Sequence, residues 1–340
     1  MSSLVVFVRQ STLAAALLSV LSPAFAAAAA TDFDQLVVTA SRTEQTRQQT
    51  LAAVTVIDRA EIDRLQPNSL PDLLRGTPGM SLASNGGPGK STSMFLRGTE
   101  SDHVLVLVDG VRIGSATAGG AAIQDIPVDQ IERIEIVRGP FSSLYGSEAL
   151  GGVIQIFTRR PEGAFSPHAS FGVGSDGEQR FSAGAAGRRG PGWYSIGVAH
   201  ENTDGINVSR CKPLAGGGCS VIDPDRDGYR NNSLNLQGGY RFSEAWDGEV
   251  RLFRAQGRNA YDGSVNDVAK TVQQVAGARL RYTPTKDVSI TANLGRSADL
   301  SDNYLKGVYA GNFDTRRDLG SLQADIGALG GRLSVGYDWQ

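Results

Sequence analysis

Segments in which apolar and polar residues alternate dominate the chain from Ser166 onward. About nine such segments of roughly ten residues each follow one another, separated by glycine-rich turns and longer polar loops. Alternation of this kind predicts β-strands with one apolar and one polar face. Two architectures fit it: transmembrane strands around a polar lumen, or a soluble β-sandwich. The apolar positions of these segments include Phe171, Phe181, Ile196, Leu236, Val250, Leu280, Leu294, Leu322 and Val335.

Residues 1–26 are predicted to be a secretory signal peptide. Arg9 provides the positive charge, residues 13–21 form the apolar core, and residues 24–26 (AFA) form an A-x-A cleavage site. The small residues that follow would also allow cleavage as late as Ala30. A membrane anchor is the alternative, but it needs a longer apolar run. Export would place the chain in an oxidising compartment.

The chain contains two cysteines, Cys211 and Cys219, in the glycine-rich segment CKPLAGGGC. In an exported protein we expect them to form a local disulfide, which would stabilise the fold by roughly 2–3 kcal/mol in the chain-entropy picture. A metal site is the weaker alternative, because the sequence places no His or second Cys pair nearby.

Short apolar runs separated by glycine turns predict a small domain before the alternating segments. Four runs, at residues 94–98, 103–109, 131–137 and 153–157, are expected to form one mixed sheet. A further strand is expected at residues 53–57. Helical turns are expected at residues 59–65 and 70–75, the second capped by Ser69 and Gly76.

The order and spacing of LRG, VLVDG, IERIEIVRGP, YG and GGVI between about residues 36 and 160 resemble the plug domain of TonB-dependent outer-membrane receptors. The resemblance implies an α+β plug at residues 46–161, followed at residues 166–340 by an incomplete antiparallel transmembrane β-barrel. Receptors of this family have far more than nine strands, so we expect the chain to be the first portion of a longer protein. It also implies a Gram-negative outer-membrane location and contact with outer-membrane lipid.

The segment DQLVVTASR, within residues 27–45, allows two interpretations. An extended apolar segment can add a strand to the sheet edge of a partner, or it can be the first strand of its own domain. The resemblance favours partner docking, with the TonB protein in the periplasm as the partner. The TonB box then consists of Asp34, Gln35, Leu36, Val37, Val38, Thr39 and Ala40.

The loop DPDRDG, residues 223–228, places carboxylates at alternate positions, which suits Ca²⁺. It begins like an EF-hand, but Leu234 stands where the closing Glu is needed, so other ligands must come from elsewhere. A solvated acidic turn is the alternative. The resemblance to the cobalamin transporters of the family implies calcium ions shared by two outer loops, although Asn207 replaces one of their acidic ligands. The implied ligands are Asp223, Asp225, Asp227, Tyr261, Asp262 and Asp267.

The same resemblance implies two further sets of residues in the plug. Arg97 and Arg138 match a pair that locks the plug to glutamates of the barrel wall, which are expected beyond Gln340. Outward-facing plug loops supply ligand contacts in the family; mobile loop tips are the alternative, and only Ser93 keeps the family's residue type. The matching positions are Ser91, Ser93, Glu100, Ala118 and Gly119.

These observations favour a TonB-dependent transport receptor for cobalamin or a related corrinoid. A siderophore or haem receptor is the rival within the family, and a passive porin or adhesin is the rival outside it. The formal net charge of −2 argues against a nucleic-acid partner. Residues 86–91 (GGPGKS) are not a P-loop, because Ser84 stands where the first glycine is required. With three histidines and no nucleophile–base pairing in the sequence, we expect no enzymatic activity.

Overall fold

The structure is a computed structural model that describes residues 37–38, 45–46, 52–117, 119–208, 224–328 and 331–340. An N-terminal domain precedes a large antiparallel sheet, which we name the wall. The elements of the N-terminal part are β1 (Val37–Val38), β2 (Gln45–Thr46), β3 (Ala53–Ile57), α1 (Arg59–Leu65), α2 (Leu70–Arg75), β4 (Met80–Ser84), β5 (Thr92–Leu96), β6 (Val104–Val108), β7 (Val111–Ile113), β8 (Ile131–Arg138), α3 (Ser142–Tyr145) and β9 (Gly152–Thr158).

The centre of the N-terminal domain is a five-stranded sheet in the order β3-β8-β9-β6-β7. Every residue of β6 and of β9 is buried, as expected for strands covered on both faces. These two strands pair in parallel and the other pairs are antiparallel, so the sheet is mixed, as predicted.

Local sequence explains both predicted helices. The Asp58 side chain accepts a hydrogen bond from the Glu61 amide at 2.8 Å, which caps α1. Ser69 does the same for α2, where its Oγ accepts from the Asp72 amide at 3.2 Å. The chain leaves α2 through Gly76, as predicted, although Gly76 has right-handed dihedral angles. Buried Ile62 and Leu74 dock the helices on the sheet.

The prediction that residues 94–98 belong to the mixed sheet is wrong. β5 pairs instead with β4 in a separate antiparallel hairpin. The other three predicted runs are β6, β8 and β9, and the sheet is completed by β3, predicted as a separate strand, and by the short β7, which follows the turn at Asp109 and Gly110. β4 reads MSLAS, which contains no β-branched residue, so its sequence alone did not predict a strand.

The wall is a nine-stranded antiparallel meander in sequence order, as the alternation predicted. Its strands lengthen along the chain from 8 residues in β10 to 21 in β17. The expectation of about ten residues per strand is therefore wrong for the later strands. The bounds are β10 (Ser166–Val173), β11 (Gln179–Arg189), β12 (Gly192–Thr203), β13 (Tyr229–Arg241), β14 (Trp246–Ala260), β15 (Val268–Thr285), β16 (Val288–Leu305), β17 (Val308–Ala328) and β18 (Gly331–Trp339).

The two faces of the wall differ as the alternation requires. One face carries exposed apolar side chains such as Val250, Leu294 and Tyr337, which is 71% exposed. The other face carries buried polar side chains such as Asn235 and Gln273. Within the described residues, β10 and β18 each pair on one side only, so the sheet is an incomplete barrel.

The N-terminal domain packs against the polar face of the wall. Phe253, Ala255 and Val275 of the wall are buried in the same apolar cluster as the core of the domain. Burying a side chain such as Phe253 contributes about 1.5–3 kcal/mol. The cluster therefore holds the domain against β14 and β15. None of the described helices is both long and apolar enough to cross a membrane.

Candidate functional site

Lys90 attaches the glycine-rich loop of the N-terminal domain to the wall. Its Nζ donates hydrogen bonds to the Asp227 carbonyl at 2.9 Å and to Asn259 Oδ1 at 2.7 Å, and only 3% of the residue is exposed. Burial lowers the pKa of Lys90 to about 8, against the opposing effect of Asp227 and Asp262. The loop comes so close that a Cβ on Gly89 would lie 1.9 Å from the Tyr229 ring, so only glycine fits there.

Beside Lys90, three carboxylates converge from two loops of the wall. Asp225, Asp227 and Asp262 each offer an oxygen, and these oxygens lie within 4.8 Å of one another. Asp227 is buried, and its Oδ2 accepts a hydrogen bond from the Val208 amide at 2.8 Å. Mutual repulsion in a cluster this tight favours a bound cation, and hard oxygen donors suit Ca²⁺. The residues present therefore fit a calcium ion.

The other predicted ligands are placed differently. Asp267 lies outside this group of three. Its Oδ2 accepts a hydrogen bond from the Lys306 amide at 2.7 Å. Its Oδ1 is buried and accepts no hydrogen bond from the described residues. The Tyr261 hydroxyl donates to Asn303 Oδ1 at 3.4 Å. Asp223 lies outside the described residues, so the structure gathers three of the six predicted ligands.

The predicted ligand-contact residues lie on two connected parts of the N-terminal domain. Ser91 is exposed beside the β4–β5 hairpin, and Ser93 lies in β5 opposite Ala83. Glu100 is exposed before the short turn at residues 101–103, which contacts β5. Gly119 has a positive φ of 68° and lies on a loop next to Asp102 of that turn. Ala118 lies outside the described part of the chain.

The comparisons with known proteins agree with this architecture. Residues 46–153 match the family described as TonB-dependent Receptor Plug Domain. Over 292 residues, 86% of the chain, the sequence is 33% identical to the vitamin B12 transporter BtuB of Photobacterium profundum. Residues 46–153 are a plug domain of the TonB-dependent receptor family. It spans 44% of the length of that relative.

Solved structures of bacterial uptake receptors share the fold. A mutant of the ferric enterobactin receptor PfeA of Pseudomonas aeruginosa superposes with a TM-score of 0.70 at 21% identity, over 89% of this chain and 50% of that one. The ferric yersiniabactin uptake receptor FyuA of Yersinia pestis gives a TM-score of 0.64 at 19% identity, over 82% and 46%. At these identities the likeness shows the fold alone.

The predicted plug lock is visible only on its plug side. The side chains of Arg97 and Arg138 both lie beside Gly79, and the backbone of Arg97 has a positive φ of 55°. Arg138 donates to Thr55 Oγ1 at 2.6 and 2.9 Å, and burial together with the neighbouring Arg97 lowers its pKa. Neither arginine forms a salt bridge with a described residue. Their role as a lock therefore stays a prediction.

Asp125 provides a second attachment of the plug to the wall. Its carboxylate accepts hydrogen bonds from the Tyr229 hydroxyl at 2.9 Å and from Thr271 Oγ1 at 3.1 Å, and its carbonyl accepts from Asn231 at 2.8 Å. Burial raises the pKa of Asp125 to about 6, although the bonds from Tyr229 and Thr271 oppose the shift; the nearby Asp299 adds to it.

We expect this attachment to weaken as the pH rises. An acid whose pKa is higher in the folded protein binds protons more tightly there, so the free energy of unfolding falls as pH rises from about 4 to about 6. Replacing Asp125 with Asn keeps an acceptor for Tyr229 and removes the titration. Thermal unfolding of the full-length receptor should therefore lose this pH dependence in Asp125→Asn, with a gain on the order of 1–3 kcal/mol at pH 7.

Asp102→Asn is the matched control for this prediction. Asp102 is an exposed plug carboxylate, so the variant should keep the pH dependence of the wild type. An Asp125→Asn receptor whose unfolding follows pH as the wild type does would contradict the assignment.

Several predictions fall on residues that the structure does not describe. They are the signal peptide, the pairing of Cys211 with Cys219, and Asp34, Gln35, Leu36, Thr39 and Ala40 of the TonB box. Within the box, Val37 and Val38 form β1 and pair antiparallel with Thr46 and Gln45.

Proposed function

We propose that the chain forms the plug and first wall strands of an outer-membrane receptor that takes up cobalamin or a related corrinoid. The observation that carries the proposal is the 33% identity to a vitamin B12 transporter across 86% of the chain, plug and wall together. The siderophore receptors among the solved structures share the fold at 19–21% identity, which carries no information on the ligand.

The surface of the wall supports a membrane location. Exposed apolar side chains alternate with polar ones turned towards the plug, as in a strand that faces lipid on one side. The plug occupies the polar face, so a passive pore through this part of the wall would be obstructed. Opening a path requires rearrangement of the plug, and we propose that the TonB protein drives it by pairing with the TonB box.

Ligand titration of the purified full-length receptor tests the proposal. We expect saturable binding of cyanocobalamin and none of a ferric catecholate or haem at the same concentration. Saturable binding of the ferric catecholate or of haem, with none of cyanocobalamin, would assign the receptor to the rival ligand class.

We further propose that Asp225, Asp227 and Asp262 hold a calcium ion that orders the outer loops. The ion would neutralise carboxylates that lie beside the plug loop of Lys90, and so keep that loop and the wall loops in one arrangement. The ion supplies a fixed positive charge and no chemistry of its own.

Replacing Asp225 and Asp227 together with Ala should weaken ligand binding roughly 10-fold or more, because disordered loops must be ordered at the expense of binding energy. Titration of cyanocobalamin with and without a calcium chelator measures the effect, and the chelator should weaken the wild type but not the double variant. Asp302→Ala, an exposed wall carboxylate outside the cluster, is the control. A cyanocobalamin affinity that changes neither with the substitutions nor with the chelator would contradict the proposal.

A further inference from the structure

Three arginines converge on one buried carboxylate where the plug meets the wall. Glu249 of β14 accepts hydrogen bonds from Arg160 at 3.2 Å, from Arg251 at 3.2 Å and from Arg279 at 3.0 Å. Arg160 follows the last plug strand, whereas Arg251 and Arg279 lie on β14 and β15. The side chains of Glu249 and Arg251 are 5% and 10% exposed, whereas those of Arg160 and Arg279 are 34% and 28% exposed, so the cluster is buried at its centre and open at its edge. We name the three arginines the arginine cradle.

The cradle carries more positive charge than its surroundings neutralise. Three guanidinium groups face the single charge of Glu249. The nearby Asp247 lies 3.9 Å from Arg279 but is paired with Arg281 at 2.8 Å. Among the described residues, the other carboxylate that acts on Arg251 is Asp109, and even when Asp109 is ionised the three arginines and two carboxylates keep a surplus of one positive charge.

Asp109 is poorly placed to supply the missing negative charge. It is fully buried, and its hydrogen bonds come from the Thr158 amide at 3.0 Å and the Thr158 hydroxyl at 2.7 Å. Burial raises the pKa of Asp109, although the Thr158 bonds and the charges of Arg251 and Arg160 oppose the shift.

Each arginine of the cradle also has a donor without an acceptor. The Nε atoms of Arg160, Arg251 and Arg279 are buried and reach no hydrogen-bond acceptor within the described residues. Buried N–H groups are nearly always bonded, so three such donors in one cluster point to an acceptor that binds there. Gly277 leaves space for the Arg251 side chain, because a Cβ at that position would lie 2.6 Å from Arg251 Nε.

The cradle opens into a cavity between plug and wall. The cavity measures about 1100 Å³ and is bordered by the turn after β6, by α3 and by strands β14 to β18. Its volume is far larger than a single ion requires, so an anionic group attached to a larger solute also fits.

We propose that the arginine cradle binds an oxyanion, a phosphate or carboxylate group, inside the cavity. The planar guanidinium fork matches the geometry of these groups, and each bond would be charge-assisted. Because Arg160 belongs to the plug and the other two to the wall, a bound oxyanion bridges the two. The site is independent of the transported ligand proposed above, since it requires only the anionic group.

Equilibrium dialysis of the full-length receptor against radiolabelled inorganic phosphate tests the proposal. The buffer is otherwise free of oxyanions and is held at constant ionic strength with chloride. We expect one saturable site per receptor in the wild type. Arg251→Gln with Arg279→Gln should weaken binding at least 10-fold, because two charge-assisted donors are lost. Arg254→Gln should bind as the wild type does, since Arg254 lies on the opposite face of β14 and bonds to Gln274.

The source of the oxyanion is decided by competition. A nucleoside monophosphate that displaces phosphate shows that the cavity admits the group on a larger solute, whereas displacement by inorganic anions alone shows a free-anion site. The matching nucleoside should displace nothing.

Heat-modifiable gel migration confirms that each variant is folded, and Arg160→Gln replaces the double variant if that one does not fold. Absence of saturable phosphate binding in the wild type, or equal binding in the folded cradle variants, would overturn the proposal.

Discussion

Replacing Val38 with Pro is expected to reduce energy-dependent uptake to the background level while leaving ligand affinity unchanged. Val38 lies in the predicted TonB box, and β1 pairs with β2 over only two residues, so a longer partner strand can replace that pairing. Proline has no backbone N–H and a fixed φ, so it removes a ladder hydrogen bond and spoils strand addition. The predicted ligand-contact residues lie on other loops of the plug, so ligand affinity should be unaffected.

The measurement pairs ligand uptake by cells with ligand binding to the same cells. Val38→Thr is the matched control, because it keeps the backbone donor and the β-branched shape, and it should transport normally. Uptake by Val38→Pro cells at the wild-type rate would show that the segment does not dock by backbone pairing.

The second large effect concerns residues 27–340 expressed alone. We expect them to form no stable barrel in membranes or detergent. β10 and β18 leave one edge each unpaired among the described residues, and an unsatisfied backbone group in hydrocarbon costs several kcal/mol. Over strands of 8 and 9 residues these costs exceed the stability of an ordinary domain.

Heat-modifiable gel migration of the refolded fragment, with protease protection in liposomes, measures the outcome. The full-length receptor refolded in parallel is the control and should show both properties. A discrete, protease-resistant fragment would mean that the two edges are closed in another way, for instance by dimerisation.

The sequence predicted the parts of the fold that local patterns determine. The apolar runs at residues 104–108 and 153–157 are the buried strands β6 and β9, and Ser69 caps α2 as expected. The alternation predicted the number of wall strands. It did not predict their lengths, because polar runs such as residues 314–318 (DTRRD) of β17 interrupt the alternation and are strand through their pairing with β16.

The sequence likewise predicted some of the candidate site residues and missed others. The alternating carboxylates of the loop pointed to Asp225 and Asp227, the family resemblance added Asp262, and the structure brings these three together. Lys90, Asp125 and the arginine cradle were not identified. Each is an ordinary charged residue in sequence, and its contacts follow only from docking of the plug on the wall. The single local signal was the glycine-rich loop before Lys90, since Gly89 allows the close approach to Tyr229.

Uptake of radiolabelled cyanocobalamin tests the central claim most directly. The assay uses cells that lack their own corrinoid receptor and carry the full-length receptor in the outer membrane. The account predicts saturable uptake that stops when the membrane is de-energised or when TonB is absent. Cells that display the folded receptor yet take up no cyanocobalamin, or that take it up equally well without energy and TonB, would contradict it.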